Sequence, residues 1–159
     1  MTTFDQAFDI LITHEGGFSN HPDDPGGATM YGVTEAVARA NGFTSPMRDF
    51  TLNQAKSIYR KQYWDACQCE VMPDPVKYPL FDAAVNSGPV QAIKWLQGAA
   101  GIKADGVIGP MTRQAVAHLD PYALSQAMIG RRLRFMTDLK NWPSFSKGWA
   151  RRIAAILEA

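Results

Sequence analysis

In the stretch Thr13-His14-Glu15-Gly16-Gly17-Phe18 a glutamate stands directly before two glycines. It ends an apolar stripe of Phe4, Ala7, Phe8, Leu11 and Ile12, whose spacing of three and four predicts an amphipathic helix over 4–15. Thr3-Phe-Asp-Gln6 has the form of a capping box, and Gly16-Gly17 is expected to supply a left-handed stop. On this reading Glu15 sits in the last turn, where the backbone carbonyls carry partial negative charge. The helix end and partial burial both disfavour a carboxylate, so Glu15 is expected to keep its proton to higher pH than an ordinary glutamate. A carboxylic acid protonated near neutral pH is what a general acid requires. Gly16 and Gly17 leave space beside it. Position alone is equally compatible with a frayed, exposed end where Glu15 pairs with a cation such as His14.

The residues that follow add a second group. Asp24 comes nine positions after Glu15, Thr29 follows Gly26-Gly27, and Tyr31 and Thr34 come next. One acid on a helix end and one carboxylate or hydroxyl on an adjoining loop can face each other across a groove, which is the arrangement that cleaves a glycosidic bond. Phe18 or Tyr31 would stack on the apolar face of a sugar. Asp23 reads as a turn cap, and capping competes as the role of Asp24 and Thr29. Asn86, one helical turn after Asp82, either reaches the saccharide or caps the turn at Ser87-Gly88.

The stretch HEGGFSNHPDDPGGATMYGVT resembles the signature of glycoside hydrolase family 108, with Glu-Gly-Gly-aromatic, then Asp-Pro-Gly-Gly-x-Thr, then Gly-Val-Thr. FDAAVNSGPVQAIKWLQGAAGIKADGVIGPMT and the closing FSKGWARR are similar to the peptidoglycan-binding segment that accompanies it, so the resemblance spans nearly the whole chain. It implies a lysozyme-like protein that cuts N-acetylmuramyl–N-acetylglucosamine linkages in bacterial cell walls, as phage and prophage endolysins do. It places the catalytic glutamate on Glu15 and assigns no second catalytic residue. The Glu15…Asp24…Thr29 spacing is similar to the Glu/Asp/Thr triad of a related phage lysozyme family, one residue short of it. Phe18 stands where tyrosine is common and Tyr31 where tryptophan is common. No cofactor or metal is implied, and His14, His21 and His118 form no dense ligand pattern. The expected partner is bacterial peptidoglycan. The rival readings are a lytic transglycosylase, a non-catalytic wall-binding or secretion-assisting protein and, last, a nucleic-acid binder, for which no groove-reading motif is present.

The elements that must position these groups are mostly helices. Thr34-Glu35 opens a short helix ended by Gly42, and Thr51-Leu-Asn-Gln54 is a second capping box before Ala55, Ile58, Tyr59 and Tyr63. Pro73 and Pro75 break that run. Further helices are expected from about 76 to Ser87, from Pro89 onward, over 110–119 and 121–139, and from about Ser146 to the end. Residues 18–33 should form turns with a short hairpin. The expectation is a mainly α fold, lysozyme-like with a small irregular excursion after the first helix. It would be a single domain over 1–159, with a catalytic lobe at 1–88 and a helical region at 89–159 that is not spatially separate.

At 159 residues and net charge +1 the chain has the composition of one globular domain. Charge is uneven: residues 1–102 hold 7 Lys+Arg against 11 Asp+Glu, and residues 103–159 hold 9 against 4. The clusters Arg131-Arg132-Leu133-Arg134 and Lys147 with Arg151-Arg152 read as solvated helix faces that could attract an anionic surface. Cys67 and Cys69 are too close to bridge comfortably and read as free thiols of a reducing compartment. No stretch has the form of a secretory signal or a membrane span. The expectation is therefore synthesis in the cytoplasm, no stable membrane insertion, and action on the wall after release, by a holin, lysis or a dedicated route.

Overall fold

The computed structural model describes residues 1–20 and 27–159, so the expectations on His21, Asp23 and Asp24 lie outside the described residues. Eight α-helices are present among those described: α1 (Phe4–Ile12), α2 (Glu35–Ala40), α3 (Leu52–Tyr59), α4 (Asp74–Ser87), α5 (Pro89–Ala99), α6 (Pro110–His118), α7 (Pro121–Thr137) and α8 (Trp142–Glu158). The fold is mainly α, and none of these helices is long and apolar enough to cross a membrane.

Both capping boxes form. Thr3 Oγ1 accepts from Gln6 N at 3.3 Å and Thr51 Oγ1 from Gln54 N at 3.2 Å, while each glutamine accepts from its cap's backbone. The end of α1 differs from the expectation. The helix stops at Ile12, and Thr13, His14 and Glu15 donate to Ile10, Leu11 and Ile12, three residues back. Thr13 Oγ1 also takes the Ile10 carbonyl at 2.7 Å, competing with the regular ladder. The tightened turn carries Glu15 onward along the stripe of buried Phe4, Ala7, Phe8 and Leu11. Neither Gly16 nor Gly17 has a positive φ, so the stop is made by this turn and not by a left-handed glycine.

The excursion after α1 is a hairpin of β1 (Thr29–Met30) and β2 (Val33–Thr34), with Met30 opposite Val33. Its two turn residues, Tyr31 and Gly32, have φ of 51° and 76°, the pair of positive values a type I′ turn demands. A bridge between Ser19 and Thr29 ties the approaching chain to it.

α1, α3 and α4 meet through edge-to-face aromatic contacts. Phe4 packs on Trp64 and Phe81 at 5.6 and 5.9 Å, and Phe8 packs on Tyr59 at 5.6 Å. After Tyr59 the helix widens into a π-helical turn, Arg60–Asp65, which buries Trp64 while Tyr63 stays beside Tyr59. Cys67 and Cys69 are both buried core thiols, and burial pushes the Cys69 thiol far up. α4 packs on α5 and α7, α5 on α7, and α7 on α8. One continuous cluster of buried side chains runs from Phe4 to Ile156. The final helix begins at Trp142, four residues before the expected Ser146, because Pro143 fits its first turn.

The Asp105-Gly-Val-Ile-Gly-Pro-Met-Thr112 turn is fastened to α5 by buried Gln97. Its amide nitrogen donates to Asp105 Oδ1 at 2.8 Å, the Val107 carbonyl at 2.9 Å and Thr112 Oγ1 at 3.1 Å, and its oxygen accepts from Gly106 N at 2.9 Å. A Cβ on Gly106 would stand 2.7 Å from Val90 Cγ1. Asp105 is held below the usual carboxylate range by hydrogen bonds from Val107 N and then Gln97, so its contribution to stability is present above about pH 4 and is lost as pH falls below that. Gln97→Leu strands several of these polar groups at once. Urea unfolding should show a loss of about 2 kcal/mol or more at pH 7, and a smaller loss once acid has protonated Asp105.

Candidate active site

Glu15 opens into a cavity of about 200 Å³ whose walls include Gly32, Thr34, Tyr59, Tyr63 and Asn86. A larger cavity of about 470 Å³ lies alongside, between α2 and α3, and shares Ile58 with it. Asn41, Gln54 and Lys61 line that larger space and, among the described residues, no carboxylate does, so the candidate acid belongs to the smaller cleft.

Glu15 is set against the hairpin turn. A Cβ on Gly32 would lie 2.6 Å from Glu15 Oε2 and 2.5 Å from the Tyr59 hydroxyl, so only glycine lets this backbone pass so close. The Tyr59 hydroxyl donates to the Tyr31 carbonyl at 2.9 Å and fixes the turn over the carboxyl group. Burial, and then the negative charge of Glu15, push the Tyr59 and Tyr63 phenols up, so both remain hydrogen-bond donors. A Cβ on Gly16 or Gly17 would meet nothing within 4 Å among the described residues.

A cluster of charges stands behind Glu15. Asp82 on α4 has no solvent exposure; its Oδ2 accepts from Arg132 Nη1 of α7 at 2.6 Å. Its Oδ1 accepts from Arg152 Nε at 3.0 Å and lies 2.9 Å from Nη2 in an ion pair. Arg152, on α8, reaches Glu15 Oε1 with both Nη1 and Nη2 at 3.5 Å. Burial alone would weaken Arg152's hold on its proton, but Asp82 outweighs it, with help from Glu15, and the guanidinium stays firmly charged. With its carboxamide oxygen turned to these cations, Asn86 accepts from Arg132 Nη2 at 2.7 Å and Arg152 Nε at 2.8 Å. The Arg131–Arg134 and Lys147–Arg152 clusters are thus not plain solvated faces. Arg131, Arg134, Lys147 and Arg151 are exposed, while Arg132 is buried and Arg152 turns inward.

Of the sequence candidates, Glu15 and Asn86 share the cleft. Thr29 lies directly opposite Thr34 in the hairpin, on the same face of the ribbon as that cleft residue. Phe18 is 46% exposed, and Tyr31 packs partly against the core. Neither is among the described residues that line the cleft, where Tyr31's contribution is its carbonyl on Tyr59. Asp24 lies outside the described residues. Sequence reasoning passed over Tyr59, Tyr63, Arg132 and Arg152 as site residues and used Asp82 only as a landmark. Asp82 gave one signal: a carboxylate between Phe81 and Ala83 in an apolar helix that must be paired if it is buried.

The glycosyl hydrolase 108 family model matches residues 8–88, and a second model, described as a predicted peptidoglycan domain, matches residues 91–154. Twelve chains of solved structures match. One is SagA of Brucella abortus, 33% identical, with 96% of this chain and 90% of that chain covered and a TM-score of 0.86. No curated protein matches. The fold is lysozyme-like.

Removing the carboxylate charge leaves two guanidiniums without their shared counter-ion. Asp82→Asn should lower the unfolding free energy by about 3–5 kcal/mol. A variant as stable as the wild type in urea would show that the cluster does not hold these helices.

Proposed function

The chain belongs to the glycosyl hydrolase 108 family and is a peptidoglycan-active protein, and from that premise we propose that it is an N-acetylmuramidase with Glu15 as general acid. The observation that carries this reading is Glu15 itself. Its side chain is 19% exposed, it faces the cleft, and a cation is fixed behind it by a second, buried carboxylate.

The catalytic sequence follows from that placement. The Glu15 carboxyl gives its proton to the glycosidic oxygen as the bond to the muramyl C1 breaks. The carboxylate left behind is negative, and Arg152 stands 3.5 Å away to receive it. Arg152 need not move to do so, because Asp82 holds it at 2.9 Å whatever the state of Glu15. The protonated Tyr63 hydroxyl offers a donor on the α3 side, the Tyr59 hydroxyl already donating to the Tyr31 carbonyl, and Thr34 offers a hydroxyl on the hairpin side. Asp24 and Thr29 are proposed to orient the water that completes hydrolysis; Thr29 shares the ribbon face of Thr34.

A lytic transglycosylase would use the same acid and close the muramyl residue on its own hydroxyl. The two readings part on product mass. Digestion of purified sacculi should release reducing-end muropeptides, and anhydro products in their place would remove the hydrolase reading. Glu15→Gln should keep the wild-type melting temperature and lower lysis by at least about 10²-fold. Undiminished lysis by that variant would remove Glu15 from the chemistry.

The close passage at Gly32 supplies a further check. Gly32→Ala, strained at a φ of 76° and pressed on Glu15 and Tyr59, should lose most activity. Gly16→Ala, which meets open space, should keep it.

A further inference from the structure

A third cavity, of about 290 Å³, adjoins the cleft through Asn86, which lines both, and has Arg152 on its own wall. His14, Gly148, Trp149 and Arg151 complete its lining. Along α8 from this cavity runs an aromatic surface. Phe145 lies nearly parallel to Trp149, with centroids 5.6 Å apart and 19° between planes, and Trp142 follows Trp149 at 5.9 Å. Phe145 is 53% exposed, while Trp149 and Trp142 are half-buried and packed against the core. Gly148 keeps the helix low beside it, since a Cβ there would project into open space. Arg151 is exposed and makes no ion pair among the described residues.

We propose that this face of α8 is a glycan-strand platform continuous with the Glu15 cleft: Trp149 and Phe145 take the apolar face of a pyranose ring, and Arg151 pairs with a carboxylate of the peptide stem. The proposal rests on the muramidase reading for the identity of the ligand, and the surface supports it chemically. A pyranose has one face of C–H groups and a rim of hydroxyls, which suits an exposed aromatic ring edged by polar side chains. The stem of peptidoglycan is anionic, which suits Arg151 with His14 across the cavity. Asn86 lines both cavities, and Arg152, on the wall of the second, reaches Glu15 of the first, so a strand lying in one runs past the proposed acid into the other. Phe145 and Trp149 stand 127 and 118 residues further along the chain than Phe18 and Tyr31, the stackers expected from sequence.

The test measures retention on purified sacculi and on glycan strands stripped of peptide by an amidase, in the Glu15→Gln background so that the polymer survives. Trp149→Ala should weaken retention on both polymers by about tenfold or more. Arg151→Gln should weaken retention on peptide-bearing sacculi alone, and high salt should erase the difference. If Trp149→Ala melts below the wild type, exposed Phe145→Ser replaces it and carries the same expectation. Unchanged retention in the stable aromatic variant would overturn the platform, and equal loss on both polymers by Arg151→Gln would overturn the stem contact. A wild type that sediments as a dimer, and a Phe145→Ser variant that does not, would make the surface a self-contact and also overturn the proposal. Failure of the catalytic reading looks different: the Glu15→Gln protein would go on dissolving sacculi, whatever α8 does.

Discussion

A carboxylate with no solvent exposure is the constraint on which the site depends. Asp82 lies inside the helical body, where an isolated charge would be prohibitive, and burial is tolerable only with paired cations and satisfied lone pairs. Arg132 of α7 and Arg152 of α8 meet it from two sides, with the Asn86 amide accepting from both. Replacing such a group by apolar side chains is often neutral or stabilising, so stability alone is a weak reason for its presence. What the cluster supplies is position. Three helices are brought to one point, and the guanidinium behind Glu15 is held by an anchor that solvent does not reach.

This division of labour separates the cation's placement from its use. Arg152 is 2.9–3.0 Å from Asp82 and 3.5 Å from Glu15, so the shorter, charge-assisted contacts go to Asp82 and not to the proposed acid. Glu15 can then change charge without releasing its neighbour. The same logic holds on the opposite wall. Gly32 lies against Glu15 because Tyr59 pins the Tyr31 carbonyl, and Tyr59 is itself fixed by Phe8 and Phe81 in the aromatic core. Groups held by packing and by fixed hydrogen bonds need little rearrangement when charge develops, which is the source of electrostatic catalysis.

Much of the local structure was legible because it is written in neighbouring residues. Thr3 and Gln6, Thr51 and Gln54, the left-handed Gly42 and Gly88, and the prolines opening α5, α6 and α7 act within one or two turns of themselves. The end of α1 was misjudged where two local rules compete: the apolar stripe runs on to Glu15 while Thr13 bonds back to Ile10 and tightens the turn. Glu15 was legible as a candidate acid from its place on that stripe. Its neighbour was not, since Arg152 lies 137 residues away and nothing in a basic cluster tells which arginine turns inward. The π-helical turn that keeps Tyr63 beside Tyr59 while burying Trp64 also escaped, because a one-residue change of helical phase leaves no mark in spacing rules built on 3.6 residues per turn.

The second half of the chain has a sequence motif that invites reading as a separate wall-binding unit, and its polar residues argue otherwise. Asp105, Gly106 and Thr112 spend their hydrogen bonds and their space on Gln97 and Val90 of α5, holding a turn closed against its own helix. That turn keeps α5 and α6 in order, and α5 packs on α7, which carries Arg132 to Asp82. Among the described residues, Arg152 is this segment's group that reaches Glu15, and it converges with Arg132 on a carboxylate of the other segment. Cut between α4 and α5, the first piece would expose Asp82 with neither cation, and the second would carry two guanidiniums with no counter-ion. On the proposed reading, binding and cleavage of the polymer belong to one surface: Asn86 lines both cavities, and Arg152 lines the one along α8 while reaching Glu15 in the other.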